Sequence, residues 1–179
     1  MMNYAIVFDP KTNTILGSKS YTETPEQYPA NEFPCTQAQA QNPTLWQLVG
    51  GVLVQSLAAA QAAQIEVLKT ACAKAITGGY VSSALGSAHT YPSTPTDQLN
   101  MAASVIASQL PGIASTWTTV FWCQDSTGAW AMLPHTAAQI QQAGSDGKAW
   151  VTTQQLKLAS LSAQVMAATT VAAVEAVVW

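Results

Sequence analysis

The sequence predicts an α+β fold in which several short β-hairpins alternate with three to four α-helices, the last of them long. Three observations predict it. Gly50-Gly51 separates two β-rich runs, residues 45–49 and 52–55, and a two-glycine turn permits the positive φ that tight hairpins require. Residues 56–77 place Leu57, Ile65, Leu68, Cys72 and Ile76 on one helical stripe, interrupted by Gln61. Towards the C-terminus Leu158, Leu161, Val165, Ala168 and Ala172 recur at spacings of three and four, the seam of a helix packed along another helix, in a coiled-coil oligomer or against the helix over 56–77.

Taken in order, residues 4–8 form a β-branched and aromatic run stopped by Asp9-Pro10, and Ile15-Leu16 resumes it after a loop near Asn13. That is a hairpin pattern. From 21 to 43 the chain carries Pro25, Pro29, Pro34 and Pro43 with little periodicity, which reads as a linker or a strap anchored by Tyr21, Tyr28 and Phe33. The domain division expected is therefore 1–43, an N-terminal hairpin with its proline-rich strap, and 44–179, a hairpin and helix domain closed by a C-terminal packing helix.

Gly78 is a natural stop for the helix over 56–77. Residues 80–84 and 87–91 bracket Leu85-Gly86 as a second hairpin or ordered loop. Thr94-Pro95 opens the next helix with a capping residue and a proline at its first position. That helix runs to about Leu110 with Leu99, Val105, Ile106 and Leu110 apolar, and Pro111-Gly112 ends it. A third hairpin spans 116–123 and 129–133, turns at 125–128, and carries Trp117, Phe121, Trp122 and Trp130. His135 reads as a loop or capping residue, Thr136 caps a helix from Ala137, and the stretch from Gly144 to Gly147 is expected to break or bend that helix. A last helix starts near Thr153 and runs towards the C-terminus, where Val177, Val178 and Trp179 form an apolar cluster that needs cover from this chain or a neighbour.

Composition excludes several classes. Charged residues make up 8% of the chain, against roughly 25% in average soluble proteins. The six cations are all lysines, scattered under a net charge of −3, which weighs against nucleic-acid binding. A weakly charged, 49% apolar chain points to a homo-oligomer or to attachment to a partner. No run approaches the roughly 20 apolar residues of a membrane span, and the N-terminus has neither the cationic start nor the apolar core of a signal peptide. Cys35, Cys72 and Cys123 are too widely spaced for a zinc knuckle or a disulfide framework; Cys72 and Cys123 read as small buried hydrophobes.

Chemistry is sparse. Ser82, Ser83 and Cys123 are the candidate nucleophiles, and His89 and His135 the candidate bases. Cys123, His135 and Asp125, or Ser83, His89 and Asp97, could be drawn as catalytic sets, yet neither carries a glycine-flanked nucleophile elbow. Two histidines and nine acids yield such sets by chance. No metal-ligand spacing is present, and Gly78-Gly79 lacks the Lys-Ser/Thr of a phosphate loop. The reading is of a non-enzymatic protein without cofactor or metal, in which His89 is a hydrogen-bonding hairpin residue.

Ile76, Gly78 and Tyr80, then Ser82-Ser83-Ala84-Leu85-Gly86, His89-Thr90-Tyr91-Pro92 and Asp97-Gln98-Leu99-Asn100, form a distinctive loop pattern. Phe121-Trp122-Cys123 with Asp125, Gly128 and Trp130, then His135-Thr136 and Gln139, extend it. The pattern resembles an uncharacterised domain family of proteins encoded beside tail fibres in tailed bacteriophages and prophages, over roughly residues 63–151, about half the chain. The strand at 4–8 with Asp9-Pro10 is similar to the opening of small tail-fibre assembly proteins. The resemblance implies a structural adaptor or decoration of the virion tail, bound to the tail fibre or tail tip and present in host cytoplasm during assembly. A tail-fibre assembly chaperone is the alternative. A cell-surface glycan hydrolase is more distant, because it would need paired carboxylates in a cleft. Tyr80, His89 and Tyr91 in the loop pattern, with Val174, Val178 and Trp179 at the C-terminus, are the candidate partner contacts.

Overall fold

β1 (Asn3–Phe8), β2 (Ile15–Tyr21) and β3 (Glu32–Cys35) form an antiparallel sheet in the order β2-β1-β3. The structure, a computed structural model, describes residues 2–179. These fall into two units, one taking in the chain up to Val67 together with Ser162–Val178, the other Leu68–Leu161 with Trp179.

In the first unit the loop between β1 and β2 turns at Asn13, whose φ is 57°. Part of the stretch expected to be a strap is sheet. Pro34 lies within β3, where it is tolerated because β3 is an edge strand and needs no N–H on its open side. Glu32 on β3 reaches over the β1 residues Ala5 and Val7 to β2. There Lys19 Nζ donates to its carboxylate at 2.8 Å and the Tyr21 hydroxyl donates to the other oxygen. Those two bonds hold the Glu32 carboxyl below its ordinary value. α1 (Gln37–Gln41) follows, capped reciprocally by Thr36 and Gln39, and Ser18 Oγ donates to the Ala40 carbonyl at 2.7 Å.

β4 (Trp46–Val49) and β5 (Val52–Gln55) form the expected hairpin, with φ of 57° and 77° at Gly50 and Gly51. α2 (Leu57–Thr77) carries Gln61 on its inward stripe for a specific reason. The Gln61 amide donates to the carbonyls of Val165, Met166 and Ala168, at 3.2, 3.3 and 3.2 Å. These belong to the last turn of α4 (Ala137–Ala167) and the residue after it, where backbone acceptors have no partner within the helix. α4 therefore stops short of the C-terminus, and α5 (Val171–Glu175) starts afresh from a Thr170 cap.

The second unit is built on a four-stranded antiparallel sheet, β6 (Tyr80–Ser82), β7 (His89–Tyr91), β8 (Thr118–Gln124) and β9 (Trp130–Thr136), in chain order. The second and third hairpins expected from sequence are thus one sheet, joined where Thr90 faces Gln124. β9 runs past Leu133 because Pro134 again occupies an edge strand. His135, read from sequence as a loop or cap residue, is a fully buried strand residue.

α3 (Pro95–Ala107) begins in a Thr94–Asp97 capping box. Its buried side is Met101 with partly buried Val105, while Leu99 is 73% exposed and Ile106 and Leu110 also face outwards. The buried cluster comprises Tyr80, Tyr91, Met101, Phe121, Cys123, Ile140 and Ala143.

The expected break at Gly144–Gly147 does not occur: α4 is continuous over 31 residues. The two glycines serve packing. A Cβ on Gly144 would lie 2.6 Å from Val105 Cγ2, and one on Gly147 would lie 2.7 Å from Tyr80 Cζ. Without side chains there, α3 and the Tyr80 ring come directly against the α4 backbone.

Two outcomes follow. Gln61→Leu completes the apolar stripe of α2, yet it is expected to destabilise the protein by about 1–3 kcal/mol in urea unfolding, because three carbonyls lose their donor. A neutral or stabilising result would show those carbonyls are satisfied otherwise. Gly147→Ala raises helix propensity by about 1 kcal/mol but drives a methyl into a ring held by stacking, so a net loss of stability is expected from overpacking of about 1–3 kcal/mol. A raised Tm would refute the close approach.

Candidate functional site

The inner face of the four-stranded sheet gathers the polar atoms of the second unit. Tyr80 and Tyr91 are direct cross-strand partners, and their rings stack at 5.5 Å with 15° between planes. Tyr91 is fully buried, and its hydroxyl lies 2.7 Å from His135 Nε2. His135 Nδ1 lies 2.9 Å from the Leu133 carbonyl. A carbonyl only accepts, so Nδ1 carries the hydrogen and Nε2 accepts from the Tyr91 hydroxyl. His135 is held neutral: burial pushes its pKa down, the Leu133 bond opposes this, and nearby His89 adds to the lowering. Burial also raises the phenols of Tyr80 and Tyr91, with each other or neighbouring groups contributing less, so both remain protonated donors.

One wall of the core is tied to α4. Ser82 Oγ donates to Asp146 Oδ2 at 2.6 Å, and Gln142 Nε2 donates to Asp146 Oδ1 at 2.7 Å. Trp150 Nε1 donates to the Ala75 carbonyl at 3.2 Å, fixing the end of α2 beside α4.

Between α3 and α4 lies a cleft of about 610 Å³. Met101, Val105, Val151 and Tyr80 form apolar wall, and Gln98, Gln141 and Lys148 are among its polar lining. The Tyr80 hydroxyl is buried and has no hydrogen-bond partner among the described residues.

The outer face of the same sheet differs. Val81, Val120, Trp122, Trp130 and Met132 are all exposed, Trp122 by 45% and Trp130 by 41%. The two indoles stack on each other at 6.3 Å and 11°. Strand alternation explains the arrangement: Phe121, Cys123 and His135 face the core, so their chain neighbours Val120, Trp122 and Pro134 face out.

Neither catalytic set drawn from the sequence is assembled. His135 bonds Tyr91 and Leu133, whereas burial pushes the Cys123 thiol up and the Asp125 carboxylate accepts from Thr127 and Ala129 within its turn. Asp97 accepts from the Thr94 backbone at 3.0 Å as a helix cap, and His89 Nδ1 lies 2.9 Å from the Ser87 carbonyl. Among the described residues no group of three or more His, Cys, Asp or Glu side chains could hold a metal ion.

Of the six candidate partner contacts, Tyr91 and Val174 are wholly buried and Tyr80 and His89 nearly so. Trp179 is partly covered, with Lys157 Nζ 4.5 Å above its ring, and Val178 is 68% exposed. The outer-face residues Val120 and Met132 were not singled out by sequence, although the alternation of β8 carries the signal.

Residues 59–178 match the family model DUF4376, a domain of unknown function. The chain belongs to the DUF4376 family. The DUF4376 segment takes in nearly all of α2, the four-stranded sheet and α3 to α5, and it leaves β1–β5 outside. No curated protein and no solved structure matches the chain.

Within this DUF4376 segment the neutral state of His135 makes stability depend on pH. The folded protein resists protonation that the unfolded chain accepts near the ordinary value of 6.5, so the unfolded state binds more protons below that pH. Stability from this residue is complete above about 6.5 and falls as pH drops through the lower folded value. Thermal unfolding followed from pH 8 to pH 5 is expected to show Tm declining below about 6.5, the reference histidine value. His135→Asn should lower Tm at pH 8 and remove that part of the decline. An unchanged slope in the variant would assign the decline to other groups.

Proposed function

We propose that this protein is a non-enzymatic component of a bacteriophage tail, bound to the tail fibre or tail tip as a structural adaptor or decoration. Two things support the reading. The loop pattern over 76–100 and its continuation through Gln139 resemble proteins encoded beside tail fibres. The observation that carries it in the structure is the outer face of β6–β9, where Val81, Val120, Trp122, Trp130 and Met132 stand exposed on one sheet.

Such a face gains free energy on burial, at about 25 cal/mol per Å² of apolar area. Tryptophans are the side chains most often found as anchors of binding energy. The stacked pair gives the face a preformed shape, which limits the ordering cost on association. The surroundings are nearly uncharged, since Thr90, Thr118, Gln124 and Thr136 share these strands, so recognition works by shape and apolar contact. A fibre is a symmetric, repeated partner, and several copies of this protein would bind it through the same patch. Near the C-terminus Val178 is a further exposed apolar residue.

Co-expression with a tail-fibre protein, followed by sizing of the complex, tests the proposal. Purified virions should contain the protein at a fixed ratio to the fibre. The double variant Trp122→Ala with Trp130→Ala should keep its circular dichroism spectrum and lose at least about tenfold in fibre affinity, the equivalent of one anchor. Absence from virions combined with a requirement for soluble fibre would favour an assembly chaperone. A protein that binds no fibre would rule out both.

A further inference from the structure

The cleft between α3 and α4 is on a different part of the unit from the exposed tryptophans and has its own chemistry. Its volume, about 610 Å³, falls in the range of about 300–1,000 Å³ typical of small-molecule sites. Met101, Ala102, Val105, Ile106 and Val151 are among the lining, which gives an apolar body a surface to rest on. Tyr80 is also a lining residue, and one of its polar atoms is unaccounted for. Tyr80 is 6% exposed, its hydroxyl has no partner among the described residues, and a buried hydroxyl without a partner is costly.

The hydroxyl is placed by α4. A Cβ on Gly147 would lie 3.0 Å from it, and Gly147 itself lines the cleft. Lys148 follows directly and lines the cleft too. The protonated phenol can donate, and the lysine ammonium can donate and supply positive charge, so both call for an acceptor oxygen bearing negative charge. The carboxylate in the lining, Asp97, accepts from Thr94 as a helix cap. We propose that the cleft binds a small apolar carboxylate, its hydrocarbon body against Met101 and Val105 and its carboxylate between the Tyr80 hydroxyl and Lys148. The inference stands apart from the tail-fibre reading.

Calorimetric titration of the full chain with octanoate, decanoate and phenylbutyrate tests it, with the amide of phenylbutyrate as the uncharged comparison. Saturable binding of one carboxylate per chain is expected, with the amide weaker. Tyr80→Phe should weaken carboxylate binding by about tenfold, the loss of one charge-assisted bond, and should raise the Tm of the unliganded protein or leave it unchanged. Lys148→Gln should weaken the carboxylate and leave the amide unaffected. Ala102→Phe, which fills the cleft from a solvent-exposed position, should abolish binding with Tm retained. The proposal is overturned if no carboxylate in the series saturates, if the amide binds equally well, or if Tyr80→Phe binds as tightly as the parent. A lowered Tm in unliganded Tyr80→Phe also overturns it, because the hydroxyl would then already be satisfied within the protein.

Discussion

The Tyr80 ring lies against the bare backbone of α4 at Gly147, and the second unit is arranged around that contact. Any side chain at Gly147 would overlap the ring, and any at Gly144 would overlap Val105. Because both positions are empty, the helix can sit close to β6 and to α3 at the same time. The stack of Tyr80 on Tyr91 then sets the second tyrosine where its hydroxyl meets His135. Asp146, between the two glycines, is brought within reach of Ser82. One close approach therefore positions the aromatic stack, the buried histidine and the polar tie between sheet and helix.

With so few charges, the chain satisfies its backbone through amides and hydroxyls. Thr36 with Gln39, Thr94 with Asp97 and Thr136 with Gln139 each cap a helix start. Gln61 serves the end of α4, Gln64 donates to the Val177 carbonyl at 2.6 Å, and Gln98 donates to the Ser93 carbonyl at 2.9 Å. At the end of α4 glutamine thus donates to the last carbonyls, as lysine and arginine can in more highly charged proteins. In the first unit a lysine and a tyrosine of β2 hold the Glu32 carboxylate of β3. The outer surface is consequently short of charge, and the exposed face of β8 and β9 stands out by its tryptophans.

Much of the local structure was legible. The Gly50-Gly51 turn, the Thr94-Pro95 helix start, the Gly78 stop and the turn at 125–128 were all read at or near their observed places. Cys72 and Cys123 are buried, as read. Errors arose where one residue type has two uses. Glycine in a helix was read as a break, although at 144 and 147 it marks contact with another element; their spacing of three, on one helix face, was the available sign. Pro34 was placed in a linker or strap and the last strand was ended at Leu133, although Pro34 and Pro134 occupy edge strands. Of the apolar residues expected to mark α3, Val105 is partly buried and Leu99 and Ile106 are exposed, while Met101 is the buried one. The candidate site was less legible than the fold. Tyr80 was singled out from its motif, but neither its missing partner nor the cleft beside it leaves a mark on local sequence.

The residues alone were enough for turns, caps and helical stripes, because these depend on φ preferences and hydrogen bonds between groups a few positions apart. They were enough, too, for the α+β class. Which glycine meets which ring, why a glutamine interrupts an apolar stripe, and how two hairpins join into one sheet depend on groups distant in the chain. Tyr80 and Gly147, or Gln61 and Val165, become neighbours once the helices and strands have packed. No periodicity records that encounter, since each residue's own surroundings in sequence are compatible with several partners. Packing selects one of them, and with it the face left bare and the cleft left open.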